Sequence, residues 1–187
     1  LNLLIVLSSP SSRSQADDYL SFDIYEVKRS LMQELQPLID RGLLVVDIED
    51  RPTLENLRRR IGQPSRGYQL FHYVGHALPN RLVMEDIRGQ RADQDSSRIT
   101  EILRLCTDLR LAVFAGCETA RARSDPFGVN TACTVGWRDL ASLADRCVQD
   151  AAPLVIGMQA ILPFRTERIF TRFFYQGVAS GYSVAEA

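Results

Sequence analysis

Gln69-Leu70-Phe71-His72-Tyr73-Val74-Gly75-His76-Ala77 is the stretch that decides the fold. Residues 69–74 are almost continuously apolar rather than alternating, which is what a strand covered on both faces requires, and small residues follow at once. Four other runs share this character: 3–7, 43–48, 111–115 and 153–157. Between them lie helical spacings of three and four. Ile24, Val27, Leu31, Leu35 and Leu38 form one stripe; Leu54, Leu57 and Ile61 form another behind a Pro52-Thr53 start. Ile99, Ile102, Leu103 and Cys106 make a third, and Trp137, Leu140, Leu143, Ala144, Cys147 and Val148 a fourth. Ile169, Phe170, Phe173, Phe174 and Val178 mark the last helix.

Strand alternating with helix implies right-handed crossovers, hence a doubly wound α/β domain with a mainly parallel sheet and helices on both faces. Two interruptions are expected: a small hairpin or flap at 82–86, and a long polar loop at 121–136, a length that compact domains reserve for function or disorder. The 187 residues, 45% hydrophobic and 24% charged, suit one domain over 1–187 with its own core. A net charge of -1 offers no field for nucleic acid or an anionic membrane surface. The longest apolar stretch, 151–164, is interrupted by Gln159 and Pro163 and is shorter than the roughly 18 residues a membrane span needs. The chain starts without Met or a basic leader, and Ser183-Val184-Ala185-Glu186 reads as a capping box just before Ala187. Both ends read as cuts, so a domain excised from a longer protein is expected.

Ligands of open parallel sheets bind beyond the carboxyl ends of the strands, near the reversal of strand order. The third strand delivers Gly75-His76-Ala77 there and the fourth delivers Gly116-Cys117-Glu118. If those strands are neighbours, about 4.8 Å apart, an imidazole and a thiol share one rim. A thiol is only slightly ionised at neutral pH, and an adjacent imidazole stabilises its thiolate or takes its proton on attack. The amides of Ala77 and Cys117 are candidates to hold a developing oxyanion. His72, inside the strand run, reads as a core histidine, Cys106 and Cys147 as core residues, and Cys133 as a bystander. Neither C-x-x-C nor zinc-finger spacing is present, so no metal site and no disulfide framework are expected, which suits a reducing cytoplasm. The first strand is followed by Ser8-Ser9-Pro10-Ser11-Ser12 rather than a glycine-rich phosphate loop, which weighs against nucleotide binding.

Phe71-His72-Tyr73-Val74-Gly75-His76-Ala77 resembles the HFSGHG strand end of CHAT domains, the caspase-like modules found beside TPR arrays in bacteria. Val113-Phe114-Ala115-Gly116-Cys117-Glu118-Thr119-Ala120 resembles their LSACETA strand end. The opening Leu4-Ile5-Val6-Leu7-Ser8-Ser9-Pro10 and the closing Val155-Ile156-Gly157-Met158-Gln159 are similar too, with the order of motifs kept. The resemblance implies a caspase-haemoglobinase fold, with His76 as catalytic histidine and Cys117 as nucleophile of a peptidase that needs no cofactor. Ala77 stands where the family has glycine.

A protein or peptide substrate is then expected to lie extended across the rim, touching the loop after the first strand and Met158 and Gln159. Arg13 would favour an acidic side chain before the cut; Asp17, Asp18 or Glu118 would favour a basic one. Regulation by attached modules such as TPR repeats, in the same or a partner chain, is the accompanying expectation. The competing reading is a CHAT-like scaffolding or regulatory domain without catalysis.

Overall fold

The computed structural model describes residues 1–10, 23–78, 80–115, 142–158 and 164–187. Five parallel strands form the main sheet: β1 (Asn2–Ser8), β2 (Val45–Glu49), β3 (Leu70–Gly75), β7 (Leu111–Ala115) and β8 (Leu154–Gly157), in the order β2-β1-β3-β7-β8. The chain steps outward from β1 to β2, then returns across β1 to build β3, β7 and β8. Strand order therefore reverses between β1 and β3, the place where such sheets open a crevice at their carboxyl ends. The expected doubly wound architecture is what forms.

Helices cover both faces because the strands are apolar on both. Leu3 to Leu7 of β1 are completely buried, and alternate side chains enter different cores. Leu4, Val6, Phe71, Tyr73, Ala112 and Phe114 meet α2 (Leu54–Ile61), α3 (Ser96–Leu103) and α4 (Leu143–Asp150). Leu3, Ile5, Leu7, Leu70, Val74 and Val113 meet α1 (Ile24–Asp40) and α5 (Phe164–Ala179). The helix starts are set by side chains that accept backbone N–H groups: Asp23 for α1, Thr53 for α2, Asp95 for α3, and Ser142 with Asp145 as a capping box for α4.

The interruption expected at 82–86 is a separate antiparallel sheet of β4 (Ala77–Leu78), β5 (Arg81–Glu85) and β6 (Arg91–Asp95). Its outer turn closes because the Asp86 carboxylate accepts the amides of Arg88 and Gln90, while Gly89 takes φ +73°, open to a residue without Cβ. This flap rises directly from the tip of β3.

Two expected stripes differ in phase. Helix α3 ends at Leu103, and Cys106 lies in the turn beyond it, buried, with its thiol donating to the Tyr68 carbonyl at 3.0 Å. On α5, Ile169 and Phe173 face outward, each 59% exposed, whereas Glu167, Thr171 and Tyr175 face the sheet. The reason is His72: it is fully buried on that face of β3, and α5 turns a polar stripe toward it. Val148 of α4 is also largely exposed. Residues 121–141, with the expected long loop and the first part of the fourth stripe, lie outside the described residues.

Candidate active site

The rim at the carboxyl ends of β1, β3, β7 and β8 holds the candidate site. β3 lies directly beside β7, in parallel, with Val74 opposite Ala115. The ladder thus joins residues 41 positions apart in sequence, and Cys117 follows His76 by the same 41. On its other edge β3 pairs with β1, Ser8 opposite Gly75. Phe114 of β7 pairs with Gly157 of β8, so Met158 stands on the same rim, on the far side of β7 from His76.

His76 occupies the single residue between β3 and β4 and is half-buried. Its backbone is held tightly. The His76 carbonyl accepts the Val83 N–H at 3.0 Å and the Tyr73 hydroxyl at 2.7 Å. The same hydroxyl lies 2.7 Å from the Val83 carbonyl, which also accepts from the buried Ser8 hydroxyl at 2.6 Å. Gly75 makes this possible: a Cβ there would sit 2.5 Å from the Tyr73 hydroxyl and 2.9 Å from the Ser8 carbonyl, closer than real contacts allow.

Ala77 opens β4 opposite Leu82, and its side chain enters the core shared with α2, α3 and α4. Among the described residues only Asn80 combines a side chain with positive φ, so Ala77 carries its Cβ without strain. The hydrogen bond from Val83 to His76 makes the neighbouring 77–82 position a non-hydrogen-bonded one. The Ala77 N–H therefore points away from β5, toward the open side of β4.

The flap is tied down at its far end as well. Glu85 donates its N–H to the Pro52 carbonyl at 3.1 Å, and its carboxylate accepts the Ser9 amide. Burial raises the Glu85 pKa; the Ser9 bond and Arg51 oppose that. Loops after β1, β2 and β5 are thereby joined around the β3 tip.

His72 is a different kind of histidine. It is completely buried, 3.5 Å from a Glu167 carboxyl oxygen, with its ring tilted at 43° to that of Tyr175 and 5.7 Å from it. Burial lowers its pKa to about 3, and burial raises that of Glu167 to about 7, against the opposing Thr171 hydrogen bond and Arg168 charge. Below about pH 7 the contact therefore joins two neutral groups. The core role expected for His72 is what it has.

Cys147 is fully buried 3.5 Å from the Thr100 hydroxyl, and burial pushes its thiol up to about 12, so it has no nucleophilic character. Burial likewise raises the Cys106 thiol. Of the residues expected at the site, His76, Ala77 and Met158 are described, all on one rim. Arg13, Cys117, Glu118 and Gln159 lie outside the described residues. Tyr73 and Ser8 were not singled out from sequence, because their role depends on a hairpin ten and 75 residues away in the chain. Among the described residues no cluster of His, Cys, Asp and Glu could hold a metal ion, and no helix is long and apolar enough to cross a membrane.

No curated protein matches the chain. Among solved structures, it is similar to a secreted C11 cysteine protease from Bacteroides thetaiotaomicron in complex with an irreversible peptide inhibitor, with TM-score 0.46 and 11% identity over 64% of this chain and 43% of that one. It is also similar to Raptor from Chaetomium thermophilum, with TM-score 0.45 and 13% identity over 64% of this chain and 12% of that one. The chain thus spans less than half the length of either. The CHAT domain model matches residues 2–187, essentially end to end, and the chain belongs to the CHAT domain family.

Proposed function

We propose that this domain is a cysteine endopeptidase working through His76 and Cys117. One observation carries the reading: β3 and β7 are hydrogen-bonded parallel neighbours whose register offset equals the sequence separation of the two residues. Continuing that ladder by two positions would set His76 opposite Cys117, one interstrand spacing of about 4.8 Å apart, within reach of a single amide carbonyl.

In the proposed reaction His76 takes the Cys117 thiol proton as the sulfur attacks the scissile carbonyl carbon, and the carbonyl oxygen takes up the negative charge. The Ala77 amide, which the hairpin leaves unused on the open side of β4, and the Cys117 amide donate to that oxygen. His76 protonates the leaving amine as the C–N bond breaks, and then takes a proton from the water that hydrolyses the thioester and frees Cys117. No step draws on a metal or an organic cofactor. The substrate strand runs along the rim past Met158, with Arg13, Glu118 and Gln159 as its further contacts. The two free, buried cysteines, Cys106 and Cys147, fit the reducing cytoplasm in which a thiol nucleophile survives. Attached modules, such as TPR repeats in the same or a partner chain, would control access to the rim.

The test is digestion of a peptide library by the full-length protein and by its Cys117→Ala form. Cleavage confined to the wild type supports the peptidase and reads out the preferred residue before the cut; equal cleavage by both forms refutes it.

A further inference from the structure

The hydroxyl of Tyr73 has a position that stability alone does not explain. It is fully buried and shares its proton between the carbonyls of His76 and Val83, each at 2.7 Å. Neither carbonyl needs it as a partner. His76 already accepts the Val83 amide, and Val83 already accepts the Ser8 hydroxyl at 2.6 Å. A buried carbonyl gains most from its first hydrogen bond, because that one removes the desolvation penalty; a second adds little to stability.

What the second bond adds is direction. Tyr73 stands three residues before His76 on β3, on the opposite face from His72 and Val74, and its ring is fixed among Phe71, Phe114, Leu82 and Met84 in the core under α2 and α3. A rigid aromatic with two side-chain torsions thus reaches from the sheet core over Gly75 to the backbone at the strand tip. Gly75, in turn, is the residue whose missing Cβ leaves the path open. The hydroxyl bridges the last residue before the flap to the flap's middle strand, so it sets the angle at which the chain leaves β3.

We propose that Tyr73 is a positioning residue for His76 and Ala77: its hydroxyl, with Ser8 against the same Val83 carbonyl, clasps β5 to the tip of β3 and holds the imidazole and the Ala77 amide in their working orientation. This deepens the peptidase reading and rests on it for the catalytic consequence only; the orientation itself is independent of activity. A misplacement on the order of 1 Å costs roughly 100-fold in a step that depends on alignment.

The experiment is Tyr73→Phe in the full-length protein, read in two ways. Peptide cleavage is expected to lose about 10- to 100-fold in kcat, with KM little changed, since the ring and the substrate contacts stay. The His76 Cε1–H signal, followed by NMR across pH, is expected to change its titration midpoint or to broaden, a response that a merely space-filling Tyr73 would not produce. Ser8→Ala, which loosens the Val83 carbonyl from the β1 side, repeats both effects at smaller size and serves if Tyr73→Phe does not fold. Wild-type kcat together with an unchanged His76 titration in Tyr73→Phe overturns the proposal. If the wild type itself cleaves no peptide, the peptidase reading has failed, and the His76 titration alone decides for or against the clasp.

Discussion

His72 and His76 stand four residues apart, one inside β3 and the other just past its end. His72 sits in the middle of the β3 ladder, opposite Ile5 and Val113, sealed by α5. It is fully buried, so its charged form is suppressed, and its carboxyl neighbour keeps its proton up to about pH 7 for the same reason. His76 sits one residue past the end of the strand, half-exposed, with its backbone carbonyl held by Tyr73 and Val83. The contrast shows that chemistry in a parallel sheet is a matter of depth along the strand. The ladder that makes the interior inert carries the next residue to a rim where an imidazole can exchange protons.

The largest effect sharpens this contrast directly. His76→Ala is expected to lower peptide cleavage by about 1,000-fold or more, as loss of a catalytic base does. His72→Leu, which exchanges a buried imidazole for an apolar side chain, is expected to leave cleavage near the wild-type rate. Comparable losses in both variants, measured on one peptide, would erase the distinction between them.

Gly75→Ala comes next, because it attacks the joint between the two regions. The new Cβ meets the Tyr73 hydroxyl and the Ser8 backbone carbonyl, the latter unable to swing aside. A loss of about 1–3 kcal/mol in urea unfolding is expected, in the range of overpacked cores. Unchanged stability would mean that the β3 tip is looser than its contacts indicate.

The smallest effect is a dependence of stability on pH arising from the His72 cluster. His72 is held at about 3 rather than 6.5, so between those values the unfolded chain binds a proton that the folded one does not, and stability falls as pH drops. Glu167 is held at about 7 rather than 4.5, so between those values the folded chain keeps a proton that the unfolded one releases, and stability falls as pH rises. The two trends oppose each other from pH 4.5 to 6.5, giving a plateau, with declines below it and just above it. Each decline is limited to about 1.4 kcal/mol per pH unit. Glu167→Gln should remove the decline above pH 6.5 and turn the plateau into a rise with pH, which denaturation midpoints across pH would show. An unaltered profile would mean that Glu167 titrates as if exposed.

Much of this was readable in the residues one after another. Strand runs such as 111–115 and helix starts such as Thr53 depend on neighbours within a turn or two, so their elements appear where the pattern puts them. The motif at His76 was readable as a strand end for the same reason. The phase of α5 was not. Ile169 and Phe173 look like core residues until His72, nearly a hundred positions earlier, is seen to require Glu167 and Thr171 in their place. Nor was the clasp, since Tyr73 reads as one more buried aromatic until β5 folds back across it.

By itself the sequence determined which segments are strands and helices, and which chemical groups end up at strand tips, because hydrophobic period, capping and small residues act locally. Only the tertiary structure decided that β3 and β7 are neighbours in a register of 41, and that a hydroxyl, a glycine and a hairpin meet behind His76. Those are contacts between residues far apart in the chain, selected by the closing of two cores around one sheet, and no local pattern encodes them.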